Sequence, residues 1–279
     1  MPTDQIPSPK HTDAINRGFS KQSVDYDEAD KGNIILQDLR QQVYRHLQRY
    51  LRPASRILEL NAGTGIDAMF FVSQGHYVHA TDLSDGMISQ IHKKISTNHY
   101  ANRLTCQQLS FEDLHLVVSA KNYDYVFSNF GGLNCIPDLS RVTCHLPPLL
   151  KPGGYVTWVI MPPVCPWEIL WAFKGQWRKA FRRLQKGGTM AHVEGEFFRT
   201  HYHSLSKIRS ALGPAFKLIR SEGLAVASPP PHHNIFPVKN PRLYKLLRRI
   251  DATIKDSFPF NRCGDHLIVT FQYTGDETK

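Results

Sequence analysis

The sequence predicts an α/β fold: a doubly wound, mostly parallel seven-stranded sheet with a terminal antiparallel hairpin and an inserted lid. Three observations predict it. Short apolar runs alternate with stretches of helical period between residues 34 and 161. The first run, Ile57-Leu58-Glu59-Leu60, passes directly into the small-residue turn Asn61-Ala62-Gly63-Thr64-Gly65 and then a helix. Two late apolar runs, 214–227 and 265–273, follow a long stretch that breaks the alternation.

The elements follow in order. Residues 1–13 are polar and proline-containing and are expected to be a disordered leader, with 14–279 forming one domain. Ile35, Leu39, Val43, Leu47 and Leu51 recur at four-residue steps, which predicts a helix over 34–51 lying on the sheet. Strands are expected near 56–60, 76–81, 103–107, 123–128 and 154–161, with helices near 65–74, 85–97 and 138–150 between them. The late runs form the terminal hairpin. Residues 162–203 are an insertion, opened by Pro162-Pro163 and expected to build the lid.

The turn after the first strand carries the chemistry. Gly63 and Gly65 let the backbone bend tightly and approach a ligand where a Cβ would intrude, and the helix behind them presents free amide donors. The spacing Gly63-x-Gly65-x-x-Ala68 also fits a dinucleotide fingerprint, so an NAD-dependent oxidoreductase is a distant alternative. The charges separate the two. A pyrophosphate seeks a helix N-terminus free of carboxylates, whereas Glu59 and Asp67 flank this one. S-adenosylmethionine carries an ammonium and a sulfonium instead, which acids complement. His76-Tyr77-Val78-His79-Ala80-Thr81-Asp82 reads as a second strand ending in a carboxylate placed to accept ribose hydroxyls.

These motifs resemble those of class I S-adenosylmethionine-dependent methyltransferases, whose fold is Rossmann-like. Glu59 through Gly65 resembles the first motif, with Asn61 where the family has glycine, and Ala80-Thr81-Asp82-Leu83-Ser84 with Met87 resembles the second. Leu109-Ser110-Phe111 stands where the family meets adenine, with Ser110 replacing the usual acid. Tyr123 through Phe130 resembles the fourth strand, and Leu149 through Tyr155 the turn before the fifth. The resemblance implies a cofactor site of Glu59, Asn61, Ala62, Gly63, Gly65, Asp82, Leu83, Met87, Ser110, Phe111, Ser128, Asn129 and Phe130. It also implies that Tyr26, in Val24-Asp25-Tyr26-Asp27, folds over the methionine end.

The methyl acceptor is less legible. Methyl transfer from a sulfonium is a displacement, so catalysis is mostly alignment; a hydroxyl or amine acceptor also needs a proton removed. His201, His203, His232, His233 and His266 lie on the expected acceptor side, with His203 and His233 the leading candidates for a base. Ser128-Asn129-Phe130-Gly131 differs from the Asn-Pro-Pro-aromatic sequence associated with methylation of base or amide nitrogens, and nothing resembles divalent-metal ligands. Trp158, Trp167, Trp171 and Phe173 suggest an aromatic-lined mouth for a small hydrophobic or aromatic metabolite, with O-methylation favoured. Basic residues of the insertion could hold a carboxylate or phosphate at its rim.

The formal charge is +10, with basic residues concentrated beyond residue 170. One helix is expected from Pro166 to about Gln185, with Leu170, Phe173, Trp177, Phe181 and Leu184 on one face and six Lys/Arg elsewhere. Such a helix suits a lid, or a membrane or dimer surface. A second basic stretch, Lys239 to Arg249, has Tyr244 as its one aromatic, which argues against nucleic acid. An RNA or protein methyltransferase and a non-catalytic cofactor-binding protein of the same fold are the alternatives. No apolar run reaches the roughly 18 residues that span a bilayer, and no signal segment opens the chain. The five cysteines have no metal or redox spacing. A cytoplasmic monomer or homodimer is expected.

Overall fold

The computed structural model describes residues 9–98, 100–117 and 123–275. Nine strands are described: β1 (Arg56–Leu60), β2 (Tyr77–Asp82), β3 (Leu104–Gln108), β4 (Tyr123–Ser128), β5 (Leu150–Ile160), β6 (Thr189–Val193), β7 (Glu196–Thr200), β8 (Phe216–Leu224) and β9 (His266–Tyr273). Seven form one sheet in the order β3-β2-β1-β4-β5-β9-β8, and β6 and β7 form a separate antiparallel hairpin. Strands β1 to β5 run parallel, with Leu58 opposite His79 on one side and Val126 on the other. β9 runs antiparallel to both β5 and β8.

The central strands are apolar on both faces because helices cover both. On one face Leu58, Leu60, Val126, Val156 and Trp158 pack with Leu146, Ile208 and Leu212. On the other, Ile57, Tyr125, Phe127 and Val159 pack with Leu39, Val43, Leu47 and Phe71. Those last residues belong to α3 (Ile34–Leu47) and α4 (Ile66–Ser73). Ahead of them run α1 (Pro9–Gln22) and α2 (Tyr26–Gly32), and α5 (Asp85–Asn98) follows β2.

Three expectations are corrected. Residues 9–13, assigned to a disordered leader, form the first turns of α1; residues 1–8 lie outside the described part. The helix expected over 138–150 is two short turns, Ser140–Thr143 and Leu146–Leu149, before β5. The single helix expected from Pro166 is four short pieces: Pro166–Ile169, Leu170–Lys174, Trp177–Ala180 and Arg182–Leu184. Gly175 ends the second piece in the left-handed region at φ +71. An ion pair explains the fold-back. In a straight helix Glu168 and Arg182 would stand about 21 Å apart, yet Arg182 Nε reaches Glu168 Oε2 at 2.6 Å.

Candidate active site

The parallel sheet reverses its winding between β1 and β4, and such a switch point opens a crevice at the carboxyl ends of the strands. A cavity of about 300 Å³ lies there, walled by the β1–α4 turn, the end of β2, residues 110–112 and the Asn129–Gly132 turn. All of the sequence-predicted cofactor residues line it except Glu59, Gly65 and Ser128.

The glycine turn is built as its composition demands. Gly63 and Gly65 have φ of +57 and +82, and nothing lies within 4 Å of where a Cβ on Gly63 would stand. A Cβ on Gly65 would press Ile91 at 3.0 Å, so this glycine serves the packing of α5 beneath the turn. Asn61 also sits at positive φ, +46. Its side chain accepts from Ser128 Oγ at 2.6 Å and donates to the Asn129 carbonyl at 2.9 Å. The asparagine therefore ties the end of β1 to the end of β4, and Ser128 supports the site from behind.

Asp82 is held by two amides: Gly63 N–H reaches Oδ2 and Ser84 N–H reaches Oδ1, both at 2.8 Å. Burial pushes its carboxyl up to about 6, against the pull of those amides. Glu59 points to the helix face behind the turn, and its Oε2 is buried without a partner among the described residues. Burial first, then the neighbouring Asp67, holds Glu59 well above the usual carboxylate range.

Asp67, weighed from the sequence for its charge alone, and Arg40, which sequence reasoning missed, stand beside it. Asp67 accepts from Tyr44 Oη at 2.6 Å and from Asn129 Nδ2 at 2.8 Å, and it pairs with Arg40. Arg40 also reaches Asp30 at 2.6 Å, and its guanidinium lies 4.9 Å from the Phe130 ring centre. The signal was present, since Arg40 sits in a helix stripe otherwise filled by Leu39, Val43, Tyr44 and Leu47. A buried arginine there requires acids to meet it. Tyr26, from α2, lines the same region, and burial raises its phenol to about 12.

The outer half of the cavity is covered from two places distant in sequence. α1 contributes His11, Thr12, Ile15 and Phe19, while the β6–β7 hairpin contributes Ala191, Val193, Phe198 and Thr200. Phe19 and Phe198 meet with ring centres 5.7 Å apart, and Arg17 and Lys21 reach Glu196 at 2.9 and 3.1 Å. α1 rests on the start of α5, where Ser20 Oγ bonds Ser84 Oγ at 2.8 Å. A Cβ on Gly86 would stand 2.7 Å from the Ser20 Cα, so that approach needs glycine. The spacing of His11, Ile15 and Phe19 at four-residue steps was the available signal for this wall.

The histidine expectations change accordingly. His203 is fully buried outside the lining, with Nε2 donating to the Ile136 carbonyl at 3.0 Å. Burial and then Lys207 push it down to about 3, so it holds the 135–137 loop as a neutral ring. His233 lies with its ring centre 4.3 Å from that of His232 and 5.7 Å from that of Trp167, again outside the lining. The histidine that lines the cavity is His11. Its Nε2 faces the Cys135 carbonyl at 3.1 Å. A carbonyl only accepts, so Nε2 carries the hydrogen, and in the neutral ring Nδ1 keeps the lone pair.

The expected aromatic mouth is corrected too. Trp158 is fully buried in the sheet core, and Trp167, Trp171, Phe173 and Trp177 stand outside the lining. The insertion meets the cavity through its hairpin rather than its aromatic segment.

Comparison with known proteins bears on the fold that carries this cavity. Residues 57–154 match a methyltransferase domain family. The chain is similar to 1,6-didemethyltoxoflavin-N1-methyltransferase of Burkholderia thailandensis, solved with its substrate and S-adenosylhomocysteine. There the TM-score is 0.58 at 16% identity, over 98% of this chain and 94% of that one. It is similar also to an S-adenosylmethionine-dependent methyltransferase of Mesorhizobium loti, with TM-score 0.53 at 17% identity over 82% and 96%. The [4+2]-cyclase SpnF shares the fold as well, with TM-score 0.61 at 12% identity over 97% and 99%. No curated protein sequence matches the chain.

Proposed function

We propose that this chain, a class I S-adenosylmethionine-dependent methyltransferase by its matched domain and its fold, methylates a small, neutral, aromatic or otherwise apolar metabolite, with a hydroxyl as the favoured acceptor. The carrying observation is the make-up of the outer cavity: Ile15, Phe19, Ile136, Met161, Val193 and Phe198 surround a single imidazole, His11. Apolar walls select an apolar guest, and a neutral imidazole whose Nε2 is committed to a carbonyl can take a proton from a hydroxyl at Nδ1.

The residues of the inner half fit the cofactor. In this reading Asp82 takes the ribose hydroxyls, and Leu83, Met87 and Phe111 pack on the adenine, all four lining the cavity. Arg40 is already paired with Asp30 and Asp67, and Asp82 adds a further acid on the inner wall, a surplus of carboxyl groups that favours a cationic ligand over a pyrophosphate. Bound there, S-adenosylmethionine supplies an electrophilic methyl group. The chain's own contribution is to align the acceptor under α1 and the hairpin, to exclude water, and to receive the proton at His11.

A charged acceptor is not part of this reading. The insertion's basic residues stand outside the lining, and Arg40, which lines it, is already paired with Asp30 and Asp67. A cavity roofed by two elements also suits a small molecule better than a nucleic-acid strand or a folded protein.

The test has two arms. Calorimetric titration is expected to show S-adenosylhomocysteine binding, and binding of a nicotinamide dinucleotide alone would overturn the cofactor. Transfer of labelled methyl from S-adenosylmethionine to a panel of phenols, amines, carboxylates and tRNA is expected to favour the phenols. Preference for carboxylates or for tRNA would overturn the acceptor class and leave the cofactor standing.

A further inference from the structure

The aromatic segment that failed to line the cavity is held outward by design of its anchors. Arg183 is buried, with Nη2 reaching Glu168 Oε1 at 2.8 Å and Asp265 Oδ1 at 2.9 Å. Trp167 Nε1 donates to the Ala227 carbonyl at 2.9 Å. These bonds fix both ends of the segment against the body. Between them Phe173 is 86% exposed and Trp177 62%, with Leu170, Phe181 and Leu184 also exposed. Trp177 and Phe181 stack against each other at 6.1 Å, facing solvent as a pair.

A second element carries the same character. The helix Pro241–Ile254 is anchored by Tyr244, which donates to Asp38 at 2.8 Å, and by Asp251, which receives the Ala227 and Ser228 amides. Those two residues lie on one face. Leu243, Leu246 and Ile250 remain exposed along the helix. The two elements meet through Trp167, whose ring packs edge-on to Phe236 at 6.0 Å, beside exposed Ile235 and Val238.

Charge decides what such a surface fits. No acid occurs from Ile169 to Val193 or from Gly223 to Ile250. Lys174, Arg178, Lys179 and Lys186 in the first element, and Lys245 and Arg249 in the second, make no ion pair among the described residues. Exposed aromatics and leucines among unpaired cations, with Arg182, Arg183 and Arg248 alone spent on ion pairs, are the composition of an interfacial membrane-binding surface, apolar groups entering below the headgroups and cations meeting anionic lipid. A protein-binding face is expected to be poor in lysine at its centre. A surface for single-stranded nucleic acid needs a groove of stacking rings along the charge.

We propose that residues 170–186 and 235–250 form one docking surface for an anionic lipid bilayer, bound peripherally. No described helix is long and apolar enough to cross a membrane, so the association is reversible and salt-sensitive.

Co-sedimentation of the full chain with phosphatidylcholine vesicles, with and without phosphatidylserine, tests this. Retention is expected with the anionic vesicles only, falling as salt rises, with a blue shift of tryptophan emission. Phe173→Ser with Trp177→Ser is expected to reduce partitioning about tenfold or more, and Arg178→Glu with Lys186→Glu to do the same. All four substitutions are at exposed positions, and S-adenosylhomocysteine binding is the control for folding. The proposal is overturned if neither vesicle retains the protein or if the Phe173/Trp177 variant partitions as before. It is equally overturned if the wild type self-associates through this face and that variant is monomeric, or if tRNA rather than vesicles retains the protein.

Discussion

Asn61 does at one position what a glycine could do only in part. Its backbone tolerates φ +46, as asparagine does more readily than most residues, and its amide spans from β1 to the Ser128 hydroxyl and the Asn129 carbonyl. Asn61→Gly is expected to keep the turn and lose both bonds, at about 1–2 kcal/mol in thermal or urea unfolding. Gly132→Ala attacks the same joint from outside, because its Cβ would run into the Asn61 side chain; weaker S-adenosylhomocysteine binding is the expected reading. Asp82 gives a pH prediction. Its folded value is raised by burial from 3.8 to about 6. The apoprotein's stability from this group is therefore fully present below about 3.8 and lost as pH rises through about 6. Ligand binding moves oppositely, since the ionised carboxylate is the better acceptor for ribose hydroxyls. Affinity for S-adenosylhomocysteine is expected to fall as pH drops through about 6, and Asp82→Asn is expected to bind more weakly at pH 8 and to lack that break. An unaltered pH profile in the variant would remove Asp82 from the ribose site.

At the scale of elements, the local signals of the parallel strands and their glycine turn were read correctly, whereas the four-residue spacing of α1 and the distant pairings were not. β4 falls at 123–128, as its apolar run predicts, and the glycine turn sits between β1 and α4, because period and turn chemistry are written within a few residues. The segment after Pro166 shows the opposite. Its helical spacing of Leu170, Phe173, Trp177 and Phe181 is real, but Arg182 and Arg183 fold back onto Glu168, and Arg183 onto Asp265, which is 82 positions away. No window of sequence shows that pairing. Likewise Ile15 and Phe19 announce an amphipathic helix without saying that Phe198 completes its packing. His203 looked like a base because its burial cannot be read from its neighbours in sequence. The buried ion cluster yields a stability prediction. Arg183→Met removes the shared partner of Glu168 and Asp265, leaving Asp265 with His266 alone. Breaking such a cluster by removing one member is expected to cost about 3 kcal/mol, measured by urea unfolding. A loss under about 1 kcal/mol would mean that the segment is anchored elsewhere.

For the whole molecule, the two halves of the cavity belong to parts of different firmness. The inner half is set by the sheet, whose central strands are buried on both faces and hydrogen-bonded on both edges. The outer half is roofed by α1 and the β6–β7 hairpin, which hold to each other through Phe19, Phe198 and the exposed pairs of Glu196 with Arg17 and Lys21. Exposed ion pairs contribute little, so the Phe19–Phe198 contact is the main bond of the roof. Elements with few buried apolar contacts open locally without global unfolding, and a roof that must admit an acceptor needs that property. Amide hydrogen exchange is therefore expected to be faster in α1 and the hairpin than in β4 and β5. Phe198→Ala is expected to speed exchange in α1 further while leaving β4 unchanged. In turnover the same variant is expected to raise the acceptor KM severalfold, with S-adenosylhomocysteine affinity held within about twofold, because Phe198 packs on Phe19 and His11 while α1 keeps its own seat on α5 through Ser20 and Ser84. If α1 exchanges as slowly as β4, or if Phe198→Ala weakens cofactor and acceptor alike, the roof is part of the frame and the division of the cavity into a fixed and an opening half is wrong.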